Sequence, residues 1–478
     1  MASENKSAFE RLGLIKEGNV RECSRGFETD IAIIGNGPSG MALSSFLSGW
    51  TPYYDTTNPH PNRTIAAGME EEPDRSLFDH DLSFLDGAEL PTLSGNSQHQ
   101  LAVLYDSLVR PDAEIGHDHP SSLEWRLEAE RRLPHVVVGA GRPGGSWHQF
   151  PDEMMALSLG EWLSLPAVSM ADWLKAEPVC PRLPCAAVRQ YYSAYPKLSG
   201  THRNHLSHTV VHRLKRETDA DTGESYWLLE GQHKTFGAVV FRAKHVVIAS
   251  GATSPRMLKV PGERDNEHVV HGLARLEEAF SSASSAARLQ RPVVVVGDGF
   301  SAADVVLFCL ERRLPVVHVF RKSRKHVKGT TIGRLSATTY PEYQAVVRLM
   351  LGRVSEPLYQ SKPQADVLSF DEDVLTLKSS GEGVVRLPFR KAVVCVGFAA
   401  NVDYLEPATR DRLLNDSDAT LAIDPATYRA DDDRVADLFV VGALAGDKFV
   451  RFAVGGCLAT ARELFRMNTK ASFAQQIQ

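Results

Sequence analysis

The sequence predicts an α/β protein with two dinucleotide-binding, Rossmann-like domains. A short apolar strand pattern, a glycine-rich turn and an apolar helix pattern occur in that order twice, at residues 31–47 and 293–310. Further short apolar runs alternate with helical segments, which is typical of a mostly parallel sheet covered by helices. The other strand candidates are Val136–Val138, Thr209–Leu214, Val246–Ala249, Val316–Phe320, Val393–Val396 and Phe439–Val441.

The first glycine turn separates the apolar run Ile31–Ile34 from the helix pattern Met41–Leu47. In a dinucleotide-binding turn, the first glycine allows the tight bend, the second lets backbone approach a diphosphate, and the third lets the helix pack close to the strand. The helix N-terminus then favours the negative charge of the diphosphate. The residues of this turn that we predict to bind a cofactor are Gly35, Gly37, Pro38, Ser39 and Gly40.

An acidic residue about 20 positions after the first glycine normally accepts the ribose hydroxyls of the cofactor. Asp55 has this spacing from Gly35, although it is followed closely by Asn58-Pro59. The sequence therefore offers Asp55 as a candidate ribose partner.

The second glycine turn follows Val293–Val296 and has alanine in the third position. A basic run, residues 321–325, comes directly after the next strand candidate, where an NAD enzyme would place an acid. Arg321 suits the 2′-phosphate of NADPH by its bidentate geometry, with Lys322 as a point charge. The alternative is a solvated basic loop. The predicted NADPH-binding residues are Gly297, Gly299, Ser301, Ala302, Arg321 and Lys322.

Composition narrows the class of protein. The 478 residues are 43% hydrophobic and 23% charged, as in a folded globular protein. The 53 Lys and Arg against 59 Asp and Glu leave no basic excess, so we expect no nucleic-acid partner. The six cysteines are scattered, which favours a reducing compartment. We find no signal, transit or membrane-spanning segment and expect a cytoplasmic protein. The sequence leaves the oligomeric state open.

Two other clusters invite a chemical interpretation. Cys180 and Cys185 have the spacing of a redox-active pair, but two prolines lie between them, and we interpret them as ordinary thiols. Four histidines within residues 202–212 fit no regular metal-ligand spacing, so we expect no metal site. We interpret residues 1–28 as an N-terminal leader and 58–133 as an insertion and a candidate lid, with one amphipathic helix at Leu101–Val109.

Several motifs resemble flavin-containing monooxygenases. The segments Ala249-Ser250-Gly251 and Cys395-Val396-Gly397-Phe398 resemble that family's two inter-domain linkers, and Gly144-Gly145-Ser146-Trp147 resembles its G-G-x-W motif. Two further segments, Tyr340-Pro341-Glu342-Tyr343 and residues 444–452, are similar to those of one subfamily, the oxidative stress-induced growth inhibitors. The resemblance covers about residues 29–466.

The resemblance implies FAD in the domain of the first turn and an NADPH domain inserted in it. The implied boundaries are 29–253 and 395–468 for the FAD domain, 254–394 for the NADPH domain and 469–478 for a C-terminal tail. Asp447 is implied to hydrogen-bond the ribityl chain of the flavin. The further cofactor-binding residues that it implies are Gly145, Trp147, His148, Gly446 and Val450.

Near the flavin the resemblance implies two residues of catalytic interest, Gln149 and Met154. Gln149 stands where typical members have an asparagine that supports the oxygenated flavin. The family's acid after the second strand of the FAD domain is replaced by Gly139 if that strand is Val136–Val138. His271 is the candidate for the histidine of the family's monooxygenase fingerprint.

The implied function is an FAD-dependent, NADPH-consuming monooxygenase that acts on a small-molecule substrate and O₂ through a flavin hydroperoxide and leaks some hydrogen peroxide. It is linked by the resemblance to oxidative stress and growth regulation. Two alternatives stay open. One is an NADPH oxidase that releases hydrogen peroxide without a substrate. The other is a non-catalytic, growth-regulating interaction protein that keeps the fold as a scaffold.

Overall fold

A computed structural model describes residues 10, 13–14, 18–23, 26–85, 97, 99–175, 181–281, 291–415, 417–435 and 437–477. The strands within these residues are β1 (Arg21–Cys23), β2 (Gly26–Ile34), β3 (Trp50–Tyr54), β4 (Leu123–Leu127), β5 (His135–Val138), β6 (Met155–Leu159), β7 (Arg182–Pro184), β8 (His205–Leu206), β9 (Thr209–Thr218), β10 (Ser225–His233), β11 (Gly237–Ile248), β12 (Ser254–Pro255), β13 (Val269–His271), β14 (Val293–Val296), β15 (Val316–Phe320), β16 (Tyr359–Pro363), β17 (Ala365–Asp371), β18 (Val374–Ser379), β19 (Gly383–Pro388), β20 (Lys391–Val394), β21 (Phe398–Ala399), β22 (Leu414–Asn415), β23 (Thr420–Leu421) and β24 (Leu438–Val440).

The α-helices within the same residues are α1 (Pro38–Leu47), α2 (Arg63–Glu70), α3 (Gln100–Val109), α4 (Met170–Leu174), α5 (Cys185–Leu198), α6 (Leu273–Ser281), α7 (Phe300–Glu311), α8 (Arg324–Val327), α9 (Pro341–Met350), α10 (Pro407–Leu413) and α11 (Val450–Ile477). In this described part of the chain, no helix combines the length and the apolar content that crossing a bilayer requires.

The chain divides into two compact α/β units with Rossmann-like sheets, one inserted in the other. Unit 1 comprises Met1–Thr253 and Ala400–Gln478, and unit 2 comprises Ser254–Ala399. The resemblance implies that the second boundary lies after residue 394. In the structure residues 395–399 belong to unit 2, because β21 pairs with β12 at the start of that unit.

The main sheet of unit 1 has the strand order β8-β5-β2-β11-β10-β9, with β1 beside β2 and β24 beside β11. Strand β2 is parallel to both of its long neighbours, so that Ile31 lies opposite His135 of β5 and His245 of β11. The prediction of a mostly parallel sheet fails at one end of the sheet, where β10 is antiparallel to both β9 and β11. Their connections are too short for a parallel crossover and allow only hairpins.

Helix α1 lies directly after the first glycine turn and is buried on every side. Residues 40–47 are all buried. The helix packs against α11, whose residues Val454, Leu458 and Ala461 belong to the same apolar core. A helix that is buried all round holds its N-terminus in a fixed place, which matters for the site at that end.

The insertion is part of the core of unit 1. The sequence predicts an amphipathic helix at Leu101–Val109, but residues 101–108 of α3 are all buried, because α3 packs against α11. Strand β4, near the end of the insertion, pairs antiparallel with β3. These contacts describe a packed segment and not a lid.

The two ends of the chain also differ from the sequence analysis. Residues 21–23, within the predicted leader, form β1, which pairs antiparallel with β2 from Gly26. Residues 469–477, within the predicted tail, continue helix α11.

Unit 2 has a five-stranded parallel sheet in the order β13-β20-β14-β15-β16. Strands β17, β18 and β19 form a separate antiparallel sheet. Both contribute to one apolar core, which includes Val294, Val319, Phe370 and Phe389. The unit begins and ends in the paired strands β12 and β21, with Ser254 opposite Ala399.

Candidate functional site

The first glycine turn brings backbone into close contact at its first and third glycines. Gly35 has a φ of +119°, and a Cβ there would lie 2.3 Å from the carbonyl oxygen of Ala249. A Cβ at Gly40 would lie 1.9 Å from the carbonyl oxygen of Gly35. Larger residues at either position would force β2, β11 and α1 apart. These two glycines therefore hold the helix N-terminus against the sheet.

Gly37 has the opposite surroundings. It is the N-cap of α1 with an ordinary extended backbone, and it gives the helix no side-chain cap. A Cβ at Gly37 would meet no protein atom within 4 Å. The uncapped N–H groups of α1 thus face open space, which fits a bound diphosphate. Gly145 lies next to Gly37, since a Cβ at Gly145 would be 3.1 Å from the Cα of Gly37.

Ser39 of the first turn faces the C-terminal part of the chain. A Cβ at Gly442 would lie 2.4 Å from Oγ of Ser39, and the Cys457 thiol donates to the Ser39 carbonyl at 3.2 Å. Pro38 occupies the first position of α1, where its missing N–H costs no hydrogen bond.

Gly139 occupies the position where the resemblance implies an acid that binds the ribose of the cofactor. Strand β5 is the parallel neighbour of β2, and Gly139 follows it where the family has an acid. The Asn36 side chain lies against Gly139, since a Cβ there would be 2.1 Å from it, and Asn36 Nδ2 donates to the Gly141 carbonyl at 2.8 Å. An acidic side chain at residue 139 would collide with Asn36.

Asp55 does not take the place of that acid. It follows β3, which pairs with β4 in a sheet separate from that of β2. Its carboxylate accepts hydrogen bonds from Thr57 and Asn58, and these bonds lower the pKa of Asp55. Asp55 closes a turn, and the structure argues against the predicted ribose contact, because spacing along the chain does not determine which strands pair.

The residues after Gly145 form a short 3₁₀ helix, Gly145–Gln149. The Trp147 ring packs against Tyr192 and Phe150, with centroids 5.6 and 5.7 Å away. His148 Nε2 donates to the Pro143 carbonyl at 2.8 Å, which closes the turn before it.

The two residues of predicted catalytic interest are not equally enclosed. Gln149 is exposed, whereas Met154 is half-buried and its carbonyl accepts from the Cys185 amide at 2.7 Å. Their roles stay predictions.

Asp447 is enclosed by the chain itself. It follows a 3₁₀ turn, Gly442–Ala445, whose C-cap Gly446 has a φ of +101°, and the Asp447 side chain is 0% exposed. Oδ1 accepts from Ser97 Oγ at 2.8 Å and from His99 Nδ1 at 3.1 Å, and Oδ2 accepts from Tyr428 Oη at 2.7 Å. The structure thus differs from the expectation that the carboxylate faces a ribityl chain.

Sequence reasoning missed three partners of Asp447, namely Ser97, His99 and Tyr428. We call these three residues, together with Asp447, the Asp447 cluster. Gly456 of α11 makes room for them, since a Cβ there would lie 2.6 Å from the Tyr428 ring and 2.7 Å from Asp447 Oδ2. Burial and the neighbouring Asp447 carboxylate raise the pKa of Tyr428. Its phenol therefore stays protonated and keeps donating to Asp447.

Val450 begins α11 and packs against the core of unit 1. The next residue, Arg451, forms a buried ion pair with Asp106 of α3 and lies 4.2 Å from the centre of the Trp162 ring. Two predicted site residues lie here, Gly446 just before α11 and Val450 at its first position. The ion pair thus connects this region with the insertion.

The second glycine turn repeats the geometry of the first within unit 2. A Cβ at Gly297 would lie 2.2 Å from the Cys395 carbonyl oxygen, but a Cβ at Gly299 would meet nothing within 4 Å. Gly299 is the N-cap of α7 and offers no side-chain cap. Ala302 is fully buried on the inner face of α7 and Ser301 is half-buried. This helix N-terminus also fits a diphosphate.

His318 of β15 supports this turn, although no sequence pattern points to it. Its Nε2 lies 2.7 Å from the Gly297 carbonyl oxygen and its Nδ1 lies 2.9 Å from Tyr359 Oη. Burial lowers the pKa of His318 to about 4, so the ring is neutral at pH 7. It therefore donates from Nε2 to Gly297 and accepts at Nδ1 from Tyr359.

Comparisons with known proteins show the family of this chain. It is 36% identical over 457 residues to an oxidative stress-induced growth inhibitor homologue of Caenorhabditis elegans, covering 92% of this chain and 95% of that relative. The chain belongs to the oxidative stress-induced growth inhibitor family. Residues 133–456 also match the family described as pyridine nucleotide-disulphide oxidoreductase. This growth inhibitor family member is therefore an oxidoreductase by family.

Solved structures of proteins with different names share the fold of this family member. A bacillithiol disulfide reductase from Bacillus cereus has a TM-score of 0.58 at 14% identity, covering 92% of this chain and 99% of that one. An ornithine hydroxylase from Pseudomonas aeruginosa has a TM-score of 0.56 at 13% identity, covering 92% and 99%. The growth inhibitor chain thus has the fold of flavoprotein oxidoreductases, and that fold serves more than one reaction.

Proposed function

We propose that this protein is an FAD-dependent, NADPH-consuming monooxygenase of the cytoplasm that acts on a small-molecule substrate and O₂. The observation that carries the proposal is the paired geometry of the two turns. In each, the first glycine is in backbone contact with a neighbouring strand and the middle glycine faces open space at an uncapped helix N-terminus. Two such sites suit two dinucleotides.

Each unit has a distinct task in this proposal. In unit 1, the N–H groups at the start of α1 bind the diphosphate of FAD, with Gly35, Gly37, Pro38, Ser39 and Gly40 shaping the turn. In unit 2, the start of α7 binds the diphosphate of NADPH and Arg321 binds its 2′-phosphate. The bound flavin supplies the electron transfer and the oxygen chemistry, and the protein supplies binding, orientation and exclusion of water.

Disulfide reduction is named for the bacillithiol neighbour, but three of the described thiols are unsuited to it. Burial raises the pKa of Cys309 and of Cys395 to about 12, so both stay protonated and unreactive at pH 7. Burial also raises the pKa of Cys457. Cys180, one member of the spaced pair, lies outside the described residues.

Release of hydrogen peroxide is a second candidate function, which one observation favours. Gln149, at the position of the family's supporting asparagine, is exposed. A monooxygenase needs donors held in a dry pocket, and an exposed side chain does not provide one. The amount of peroxide formed per NADPH consumed separates the two candidates: about one for an oxidase, and clearly less in the presence of a substrate for a monooxygenase.

The first prediction tests cofactor binding with a matched pair of variants. Gly37→Val and Gly299→Val both place methyl groups in open space, and both positions have a backbone that valine adopts without strain. We expect the unaltered protein to hold stoichiometric FAD, measured by visible absorbance. Gly37→Val should be folded and colourless, whereas Gly299→Val should be yellow but not reduced by NADPH under anaerobic conditions.

Two outcomes would contradict the proposal. One is stoichiometric FAD in a folded Gly37→Val protein. The other is a folded, unaltered protein that binds no added FAD, which would leave the scaffold interpretation.

A further inference from the structure

The Asp447 cluster joins two regions that are far apart in sequence. His99 and Ser97 come from the insertion, while Tyr428 and Asp447 lie near the C-terminal end, with 348 positions between His99 and Asp447. His99 is the N-cap of α3, and its own amide donates to Ser97 Oγ at 3.1 Å. Its backbone is therefore fixed, and its ring direction is set by the cluster.

The hydrogen bonds determine which nitrogen of His99 carries the hydrogen. Tyr428 Oη donates its only hydrogen to Asp447 Oδ2, at 2.7 Å. His99 Nδ1 lies 3.1 Å from Asp447 Oδ1 and 2.9 Å from Tyr428 Oη, and both of these oxygens accept. Nδ1 must therefore be the donor, and in this tautomer Nε2 carries a lone pair and accepts.

His99 Nε2 is the atom of the cluster that remains available for a hydrogen bond to another group. Within the described part of the chain no group hydrogen-bonds Nε2, and the His99 side chain is 12% exposed. The ring edge faces Gly446, since a Cβ on Gly446 would lie 3.8 Å from His99 Cε1. Gly446 is one of the predicted flavin-site residues, and Cε1 is bonded to Nε2, so the accepting nitrogen is one bond away from an atom that faces this predicted site.

We propose that His99 is a cofactor-binding residue whose Nε2 accepts a hydrogen bond from a ribityl hydroxyl of FAD. Asp447, Ser97 and Tyr428 are its positioning residues. The contact expected of Asp447 itself is made by His99, because the Asp447 carboxylate is enclosed and has three donors already. This inference rests on the proposed FAD binding and adds the group that recognises the ribityl chain.

The test compares three substitutions of His99 by their dissociation constants for FAD, measured with deflavinated full-length protein by flavin fluorescence. Loss of one neutral hydrogen bond predicts about a five- to tenfold weaker affinity for His99→Ala. Glutamine can place an amide oxygen near the position of Nε2, whereas asparagine reaches only the position of Nδ1. We therefore expect His99→Gln to keep most of the affinity and His99→Asn to lose as much as His99→Ala.

This contrast separates cofactor contact from a purely structural role. A structural role would make asparagine the better replacement, because it keeps the contact with Asp447, and that result would overturn the proposal. Equal dissociation constants for His99→Ala and the unaltered protein would overturn it as well. Far-UV circular dichroism checks the fold of each variant, and His117→Gln, an exposed histidine of the same insertion, is the control expected to keep full affinity.

The failure of this inference is distinguishable from the failure of the proposed function. If the unaltered protein binds no FAD, the proposed function is wrong and this inference is overturned with it. If the unaltered protein binds FAD and the His99 variants bind it equally well, the proposed function stands and only the role of His99 is wrong.

Discussion

Arg321 and Lys322 are neighbours in sequence, but the structure gives them different surroundings. Lys322 Nζ lies 3.1 Å from Asp298 Oδ2, in the second glycine turn. Arg321 is exposed, and no described side chain forms an ion pair with it. The prediction of a 2′-phosphate contact therefore applies to Arg321, while Lys322 has a partner already.

A coenzyme comparison tests this difference. Arg321→Ala removes a charge-assisted contact that only NADPH offers, so we expect its dissociation constant for NADPH to rise about tenfold and that for NADH to change little. Lys322→Ala, the matched variant, should have a smaller effect on NADPH. Titration of each variant with both coenzymes measures the change. Equal losses for NADPH and NADH in Arg321→Ala would show that the basic run is only a solvated loop.

At the scale of elements, a buried ion pair joins α3 of the insertion to α11. Asp106 is 3% exposed, and its carboxylate is paired with Arg110 and Arg451. Burial by itself would raise the pKa of Asp106, but the two guanidinium groups outweigh it and hold the pKa below its ordinary value. The carboxylate is therefore charged throughout the neutral range.

Removing this carboxylate should be costly. Asp106→Asn leaves two guanidinium groups largely buried without their anion, and such a change costs about 3–5 kcal/mol of the free energy of unfolding. Urea denaturation measures it. The control is Arg75→Ala, which breaks an exposed pair with Glu72 and should change the free energy of unfolding by less than about 0.5 kcal/mol. A loss for Asp106→Asn as small as that of the control would show that α3 is held by apolar packing alone.

Elements whose signal is local could be predicted from the sequence. Each strand, glycine turn and helix of the two turns forms within about 18 consecutive residues, and apolar periodicity with glycine spacing suffices to place it. Helix α3 was placed correctly too, but its burial depends on α11, which lies far along the chain. The Asp447 cluster could not be found, because no local pattern links His99 with Tyr428. Asp55 is the opposite case: its spacing from Gly35 fits a ribose partner, but it follows a strand that belongs to a sheet separate from that of β2.

At the scale of the whole molecule, both units contain buried histidines that stay neutral. Burial lowers the pKa of His135 and of His318 to about 4 and, together with nearby His135 and His202, that of His205 to about 3. In the unfolded chain these groups have pKa values near 6.5. Between pH 6.5 and 4 the unfolded chain therefore binds more protons than the folded protein does.

We accordingly expect these histidines to leave the free energy of unfolding unchanged above pH 7 and to lower it as the pH drops from about 6.5 to 4. The slope is about 1.4 kcal/mol per pH unit for each extra proton bound on unfolding. Urea midpoints at pH 7.5, 6 and 5 measure the change, and His117→Gln, an exposed control, should leave the profile unaltered. Identical midpoints at all three values would mean that the buried rings are protonated in the folded protein.

The insertion of unit 2 between the two parts of unit 1 also orders events during synthesis. All strands of unit 2 lie within Ser254–Ala399, so its sheet is complete once residue 399 has left the ribosome. Unit 1 needs β24, which pairs with β11, and α11, which packs on α1, and both come from the last tenth of the chain. The glycine turn at residues 35–40 is synthesised early, but the strand and helix that complete its unit are synthesised last. A prematurely terminated chain would therefore contain a folded unit 2 and an incompletely folded unit 1.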